Sequence, residues 1–326
     1  MQQGFWDEEK KPLPKSIYKS ACQKNIRRGN VDSALRCAKA NIEQDAHDFS
    51  RRVMILAPEE VSIHPLMPAV ASINKRLSKK GQVATDTDKD IMLSIVRDCA
   101  EATKRDLWEY GEETKFILTK DMFDYFAKWQ QDILMALRYR GSIGGMKGDI
   151  KMCNDMVNYL SEKWSKGENY GYSIFFDKDK LAELVDNKSI SMPTIEDIPY
   201  FAVDFHCFPP ISKLCLGKPS WVNGIKTVEP TEYKKFIDSV KNDMDVPVKS
   251  VRAGDTDDDE WVKKVMWFYE SSISYKTDYS TGKIIDERDD FTENDRAILD
   301  KAHSILVPIW QDIVEWYLGK YNIGVL

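Results

Sequence analysis

The chain has 326 residues, 42% of them hydrophobic and 31% charged, with a formal net charge of -6. That balance suits a soluble globular protein with a sizeable core, and nine tryptophans with thirteen phenylalanines argue against disorder. It excludes a basic field over the whole molecule, so any DNA contact has to use a local patch. No stretch approaches the run of about 18 apolar residues that a membrane span needs. The six cysteines form no C-x-x-C pair, which argues against a zinc ribbon or a thioredoxin-like motif. Scattered cysteines behind a charged start, MQQGFWDEEKK, predict a reducing, cytoplasmic setting.

Residues 1–14 read as a polar arm. Helical periodicity follows from Lys15 to Arg28 and is stopped by Gly29. Asp32 suits the cap or first turn of the next helix, where a carboxylate favours the exposed amides. Ala34, Leu35, Ala38 and Ile42 then repeat at helical spacing, and Phe49, Val53, Leu56 and Ala57 do so on a further helix ending near Pro58. A polar link, LSKKGQVATDTDKD, precedes a helix from about Asp88 to Arg105. Met122, Phe126, Trp129, Ile133 and Leu137 predict one continuous helical stripe, closed by the glycine-rich turn RYRGSIGGMKGD. The next helix is expected from Asp149 to Trp164.

From 165 to 228 helical periodicity weakens, and short strands are expected at Tyr172–Phe176 and Phe201–Phe205. Helices return over 229–326, with a turn at STGK joining two short strands and a capping box at Thr292 and Asp295. The fold class predicted is mainly α: a helical domain over 15–164, an irregular, partly β insertion over 165–228, and a C-terminal helical region.

The pattern K-x-I-R-x-x-x-x-D-x-A-L at Lys24–Leu35 and R-R-V-x-x-x-A-x-E-E-V-x-I at Arg51–Ile63 resembles one ATPase family. It is similar to the helical region behind the motor in the replication-associated recombination (Werner-helicase-interacting) AAA+ ATPases, relatives of clamp loaders. The resemblance covers residues 15–70. It implies a collar-like, self-associating domain acting at replication forks or DNA ends. Lys24, Arg27, Asp32, Arg51, Arg52, Glu59 and Glu60 would then serve oligomerisation or structure. The implied partners are DNA and replication or repair proteins such as a clamp, a single-strand-binding protein or an AAA+ ATPase.

The family's ATPase motor has no counterpart here. Ser280-Thr281-Gly282-Lys283 lacks the first glycine of a phosphate-binding loop and the hydroxyl that follows its lysine. No cofactor is predicted. Paired arginines such as Arg51 and Arg52 also serve to tie helices together through carboxylates.

Three local sites remain. Arg138, Tyr139, Arg140 and Lys147 flank glycines that let a backbone approach phosphate, which predicts DNA binding; an ordinary helix–helix turn is the alternative. Asp204 and His206 on a strand would share one face and offer two ligands to a divalent metal, against a buried histidine held by aspartate. His47, His64 and His303 stand alone and read as surface or capping residues. Asp255–Glu260 lacks the glycine and the last carboxylate of a calcium loop.

These observations predict a non-enzymatic protein of DNA replication or repair, acting by self-association. The alternatives are a metal-dependent enzyme on nucleic acid or nucleotide using Asp204 and His206, and a virus-encoded adaptor or inhibitor of a host machine.

Overall fold

The structure, a computed structural model, describes residues 10–107, 119–203, 235, 238, 265–286 and 291–325. It is mainly helical, as the periodicities predict. The described elements are β1 (Lys11–Pro12), α1 (Lys15–Arg28), α2 (Val31–Glu60), α3 (Met67–Leu77), α4 (Asp86–Glu101), β2 (Lys104–Arg105), α5 (Lys120–Asp124), α6 (Lys128–Ser142), α7 (Lys147–Ser165), α8 (Lys178–Leu181), β3 (Thr277–Asp278), α9 (Glu293–Leu318) and β4 (Tyr321–Asn322). No described helix is long and apolar enough to cross a membrane.

The chain divides into two compact units that interleave in sequence, whereas the sequence predicts segments that follow one another. The central unit is Asn25–Met192 with Tyr275–Ile285. The terminal unit is Met1–Lys24, Pro193–Ser274 and Asp286–Leu326.

In the central unit α1 ends at Gly29, whose φ of 71° lies in the left-handed region. The Gly29 amide donates to the Ile26 carbonyl and the Asn30 amide to the Asn25 carbonyl, 3.2 and 2.9 Å. This is a Schellman closure, which glycine makes without a Cβ penalty. α2 holds two helical segments joined at a kink, because Asp45 has φ -161° and ψ 84°. The Asp45 carboxylate accepts the Asp48 amide at 2.9 Å and so caps the second segment. The Ala34–Ile42 and Phe49–Ala57 repeats fall on either side of the kink, and both are buried.

α2 packs on α3 and α4, and α6 packs on α3 and α7. The core includes Leu35, Phe49, Val53, Leu56, Met92, Leu93, Val96, Leu134, Leu137, Met156 and Leu160. α4 starts on a capping box between Thr85 and Asp88.

The expected stripe from Met122 to Leu137 is broken rather than continuous. Residues 125–127 separate α5 from α6, and Ala127 is extended with ψ 150°. The Gln130 side chain accepts the Ala127 amide at 2.8 Å, restarting the helix. Phe126 and Trp129 still meet one partner across the break: the Trp164 ring lies 6.1 and 5.3 Å from theirs.

Tyr172–Ile174 is a 3₁₀ turn, not a strand, and Tyr200–Ala202 is another. The aromatics there favour strands only where a paired, half-buried sheet surface exists, and here Phe175 and Phe176 are instead buried beside a turn.

The segment Tyr275–Ile285 closes the central unit. β3 pairs in parallel with β2, and Thr277 bridges Ile284 across the STGK turn. Asp278 stabilises that turn by accepting the Thr281 amide at 3.0 Å and its hydroxyl at 2.6 Å. Lys276 is only 2% exposed. Its ammonium donates to the carbonyls of Cys99, at 2.8 Å, and Ala102, acceptors at the negative end of α4. Burial pushes its pKa down to about 8.

In the terminal unit β1 pairs with β4, and the Tyr18 hydroxyl accepts the Gly324 amide at 3.0 Å. The Thr292–Asp295 capping box starts α9 as expected. Leu299, Ala302, Leu306, Trp310, Val314 and Leu318 make its buried face. A short π-helix, Trp267–Ser271, carries Glu270, which pairs with His303 at 2.8 Å.

Candidate nucleic-acid interface

The α6–α7 turn is built around Arg140. This side chain is 3% exposed. Its Nε donates to the Arg51 carbonyl, its Nη1 to the Gly144 carbonyl and its Nη2 to Asp149, each at 2.9 Å. Gly144 and Gly145 have φ of 80° and 129°, both left-handed. A Cβ on Gly145 would lie 3.2 Å from Arg140 Nη2, so the turn closes tightly over the guanidinium. Burial lowers the Arg140 pKa, and Asp149 opposes that shift. Asp149 also sits in the first turn of α7, where the helix dipole favours an anion.

Tyr139 is likewise engaged. Its hydroxyl donates to Asn74 of α3 at 2.9 Å. The Asn74 amide in turn donates to the Ser50 hydroxyl at 2.8 Å and the His47 carbonyl at 3.2 Å. Tyr139 and Arg140 therefore join α6 to α2 and α3. Phosphate binding by Arg140, expected from the sequence, conflicts with these bonds, whereas the Tyr139 bond occupies its hydroxyl and leaves the ring half-buried.

Arg138 and Lys147 differ. Both are exposed, and among the described residues no ion pair engages either. At about 100° per residue, positions 138 and 140 point to opposite sides of a helix. The Tyr139–Asn74 hydrogen bond ties α6 to the last turn of α3, which carries exposed Lys75 and is followed by exposed Lys79 and Lys80. These three lysines fall in the run KRLSKK, four basic residues in six, a local signal that the candidate sites read from the sequence do not include. Only the packing of α3 on α6 relates that run to the helix carrying Arg138, and the bond that shows it spans 65 positions.

The residues of the resemblance serve several purposes. Arg27 and Glu60 form a buried bidentate pair, 2.8 and 2.7 Å, with side chains 5% and 0% exposed. Arg52 pairs with Glu59 at 3.1 Å, partly exposed. Arg51 reaches the Ile143 carbonyl at 3.5 Å, and its buried Nε has no hydrogen-bond partner. Lys24 is buried and donates to Ser20 at 2.9 Å. Asp32 is exposed in the first turn of α2.

Asp204 and His206 lie outside the described residues, as does Asp255–Glu260. Among the described residues no group of three or more His, Cys, Asp and Glu is arranged to hold a metal.

His64, expected at the surface or as a capping residue, is fully buried and caps the chain before α3. Its Nδ1 accepts the Leu66 amide at 3.1 Å, so the proton sits on Nε2, which donates to Asp98 at 3.0 Å. Burial lowers its pKa, and the Asp98 hydrogen bond opposes that. With both nitrogens engaged, the ring is a structural joint rather than a base. A second polar cluster surrounds Asp106, whose carboxylate accepts from the hydroxyls of Tyr170 and Tyr159. Burial raises the pKa of Asp106, and the two hydroxyls act against it. The buried Cys153 thiol is pushed up to about 11, which makes it a poor nucleophile.

No family model, curated protein or solved structure matches the chain. The surface charge and the internal bonds just described therefore carry the functional reading.

Proposed function

We propose that this chain is a non-enzymatic protein of DNA replication or repair. It binds the phosphate backbone of DNA through the end of α3 and the α6–α7 turn, and it associates with itself or with replication proteins through its N-terminal helical block. One observation carries the DNA reading: Arg140 holds the turn from beneath while Arg138, Lys147 and the α3 lysines stay exposed. Cations on a fixed backbone neutralise phosphates with no backbone ordering cost beyond that of their own side chains. Asp149 balances the Arg140 charge, and Arg51 adds positive charge behind the turn.

Fluorescence anisotropy with labelled single- and double-stranded DNA tests this. Affinity should fall steeply with salt. Replacing Arg138 and Lys147 by alanine should make the log–log slope shallower by about 1 for each phosphate no longer neutralised. Binding that is absent at low salt, or unchanged in the double variant, removes the interface. Light scattering after size-exclusion chromatography tests association, and a strict monomer at micromolar concentration removes that part. A clamp, a single-strand-binding protein or an AAA+ ATPase is the expected catch in a pull-down.

A further inference from the structure

Arg51 stands behind the α6–α7 turn and differs from the arginines around it. Arg27 pairs with Glu60, Arg52 with Glu59 and Arg140 with Asp149. Among the described residues no carboxylate pairs with Arg51. Its Nη2 donates to the Ile143 carbonyl at the long distance of 3.5 Å, and its buried Nε has no acceptor. A guanidinium carries five donors and keeps its charge, so this one is poorly satisfied where it lies. Burial first, and the Arg51 charge after it, lower the Arg140 pKa, so the two like charges oppose each other. Asp149 is already committed to Arg140.

Arg51 is half-buried rather than enclosed. The turn is open beside it: a Cβ on Gly144, next to Ile143, would meet no atom within 4 Å. An anion arriving there finds a guanidinium without a carboxylate, and Lys147 exposed on the same turn.

We propose that Arg51 is a phosphate-binding residue. Its guanidinium turns from Ile143 to the outer side of the turn and takes a DNA phosphodiester with two parallel hydrogen bonds. This rests on the DNA reading above and adds to it a residue that surface exposure alone does not reveal. The phosphate supplies acceptors that the side chain lacks in the free protein, so Arg51 contributes more to the complex than to the fold. Arg140 does the opposite, because its bonds are made within the fold.

Arg51→Met and Arg51→Lys, titrated with labelled DNA beside Arg138→Ala combined with Lys147→Ala, decide it. Arg51→Met should weaken binding by about fivefold at low salt and make the log–log salt slope shallower by about 1. Its urea midpoint should equal or exceed that of the wild type, since an unsatisfied donor and a like-charge neighbour are removed together. Arg51→Lys should keep the slope and lose part of the affinity, because an ammonium neutralises the phosphate without the fork. A lower urea midpoint with an unchanged slope in Arg51→Met makes Arg51 structural and overturns the proposal. Loss of the slope in Arg51→Lys as well overturns it, since the charge is then not what the DNA meets. If the Arg138 and Lys147 double variant changes the slope and Arg51→Met does not, the proposal falls and the DNA interface stands. If the wild type binds no DNA, both fall.

Discussion

Arg27 and Arg140 lie inside the central unit, each tied to a carboxylate, whereas Arg138 and Lys147 stand on its surface without one. All four are basic residues in helices or next to a turn, and composition treats them alike. Their surroundings separate them. A buried guanidinium must have its donors satisfied, so it becomes a fastener. An exposed one keeps its hydration and remains open to an outside anion. A cluster written R-Y-R-G thus holds one residue facing solvent and two that build the support under it.

The contrast breaks most visibly at Glu60. Glu60→Ala takes the carboxylate away from a buried Arg27, and should cost about 3–5 kcal/mol in urea unfolding. A loss near zero would mean that water reaches the pair. Next comes Arg140→Met, which removes donors to Arg51, Gly144 and Asp149. A loss of about 2–3 kcal/mol is expected, with DNA affinity reduced because the turn loosens.

The His64 pair gives a slope rather than a step. Its folded-state pKa is lowered below the ordinary 6.5, so the unfolded chain binds the extra proton first. Its contribution is full above 6.5 and is lost as pH falls through the folded value. His64→Gln should flatten that acid limb in pH-dependent melting; an unchanged limb assigns it to other groups. The smallest stability effect belongs to Arg138→Ala with Lys147→Ala, within about 0.5 kcal/mol, although DNA binding should suffer. A large loss of stability there would erase the distinction between fasteners and surface cations.

Much of the helical layout is legible, because it is written in neighbouring residues. Gly29 ends α1, Thr292 and Asp295 start α9, and the two apolar repeats of α2 run on either side of Asp45. The break between α5 and α6 is not legible. The apolar stripe keeps its spacing through residues 125–127, since Phe126 and Trp129 both serve Trp164 whether or not the helix is continuous. The roles of Tyr139 and Arg140 depend on Asn74 and Arg51, far away in sequence, so local pattern alone assigns them to DNA. The same distance hides the pairing of His64 with Asp98, 34 positions on. Arg52 does find a carboxylate, as a paired arginine can, but Glu59 lies on its own helix rather than on a neighbour.

Lys276 has a consequence for how the protein is made and cut. The carbonyl it covers at Cys99 precedes it by 177 positions. During synthesis the end of α4 waits, uncovered, until more than half the chain has followed it out of the ribosome. A fragment stopped at Met192 would contain every described α-helix of the central unit and still lack its clasp. Such a piece should melt earlier than the whole, and a synthetic peptide spanning Tyr275–Ile285 should restore part of the difference.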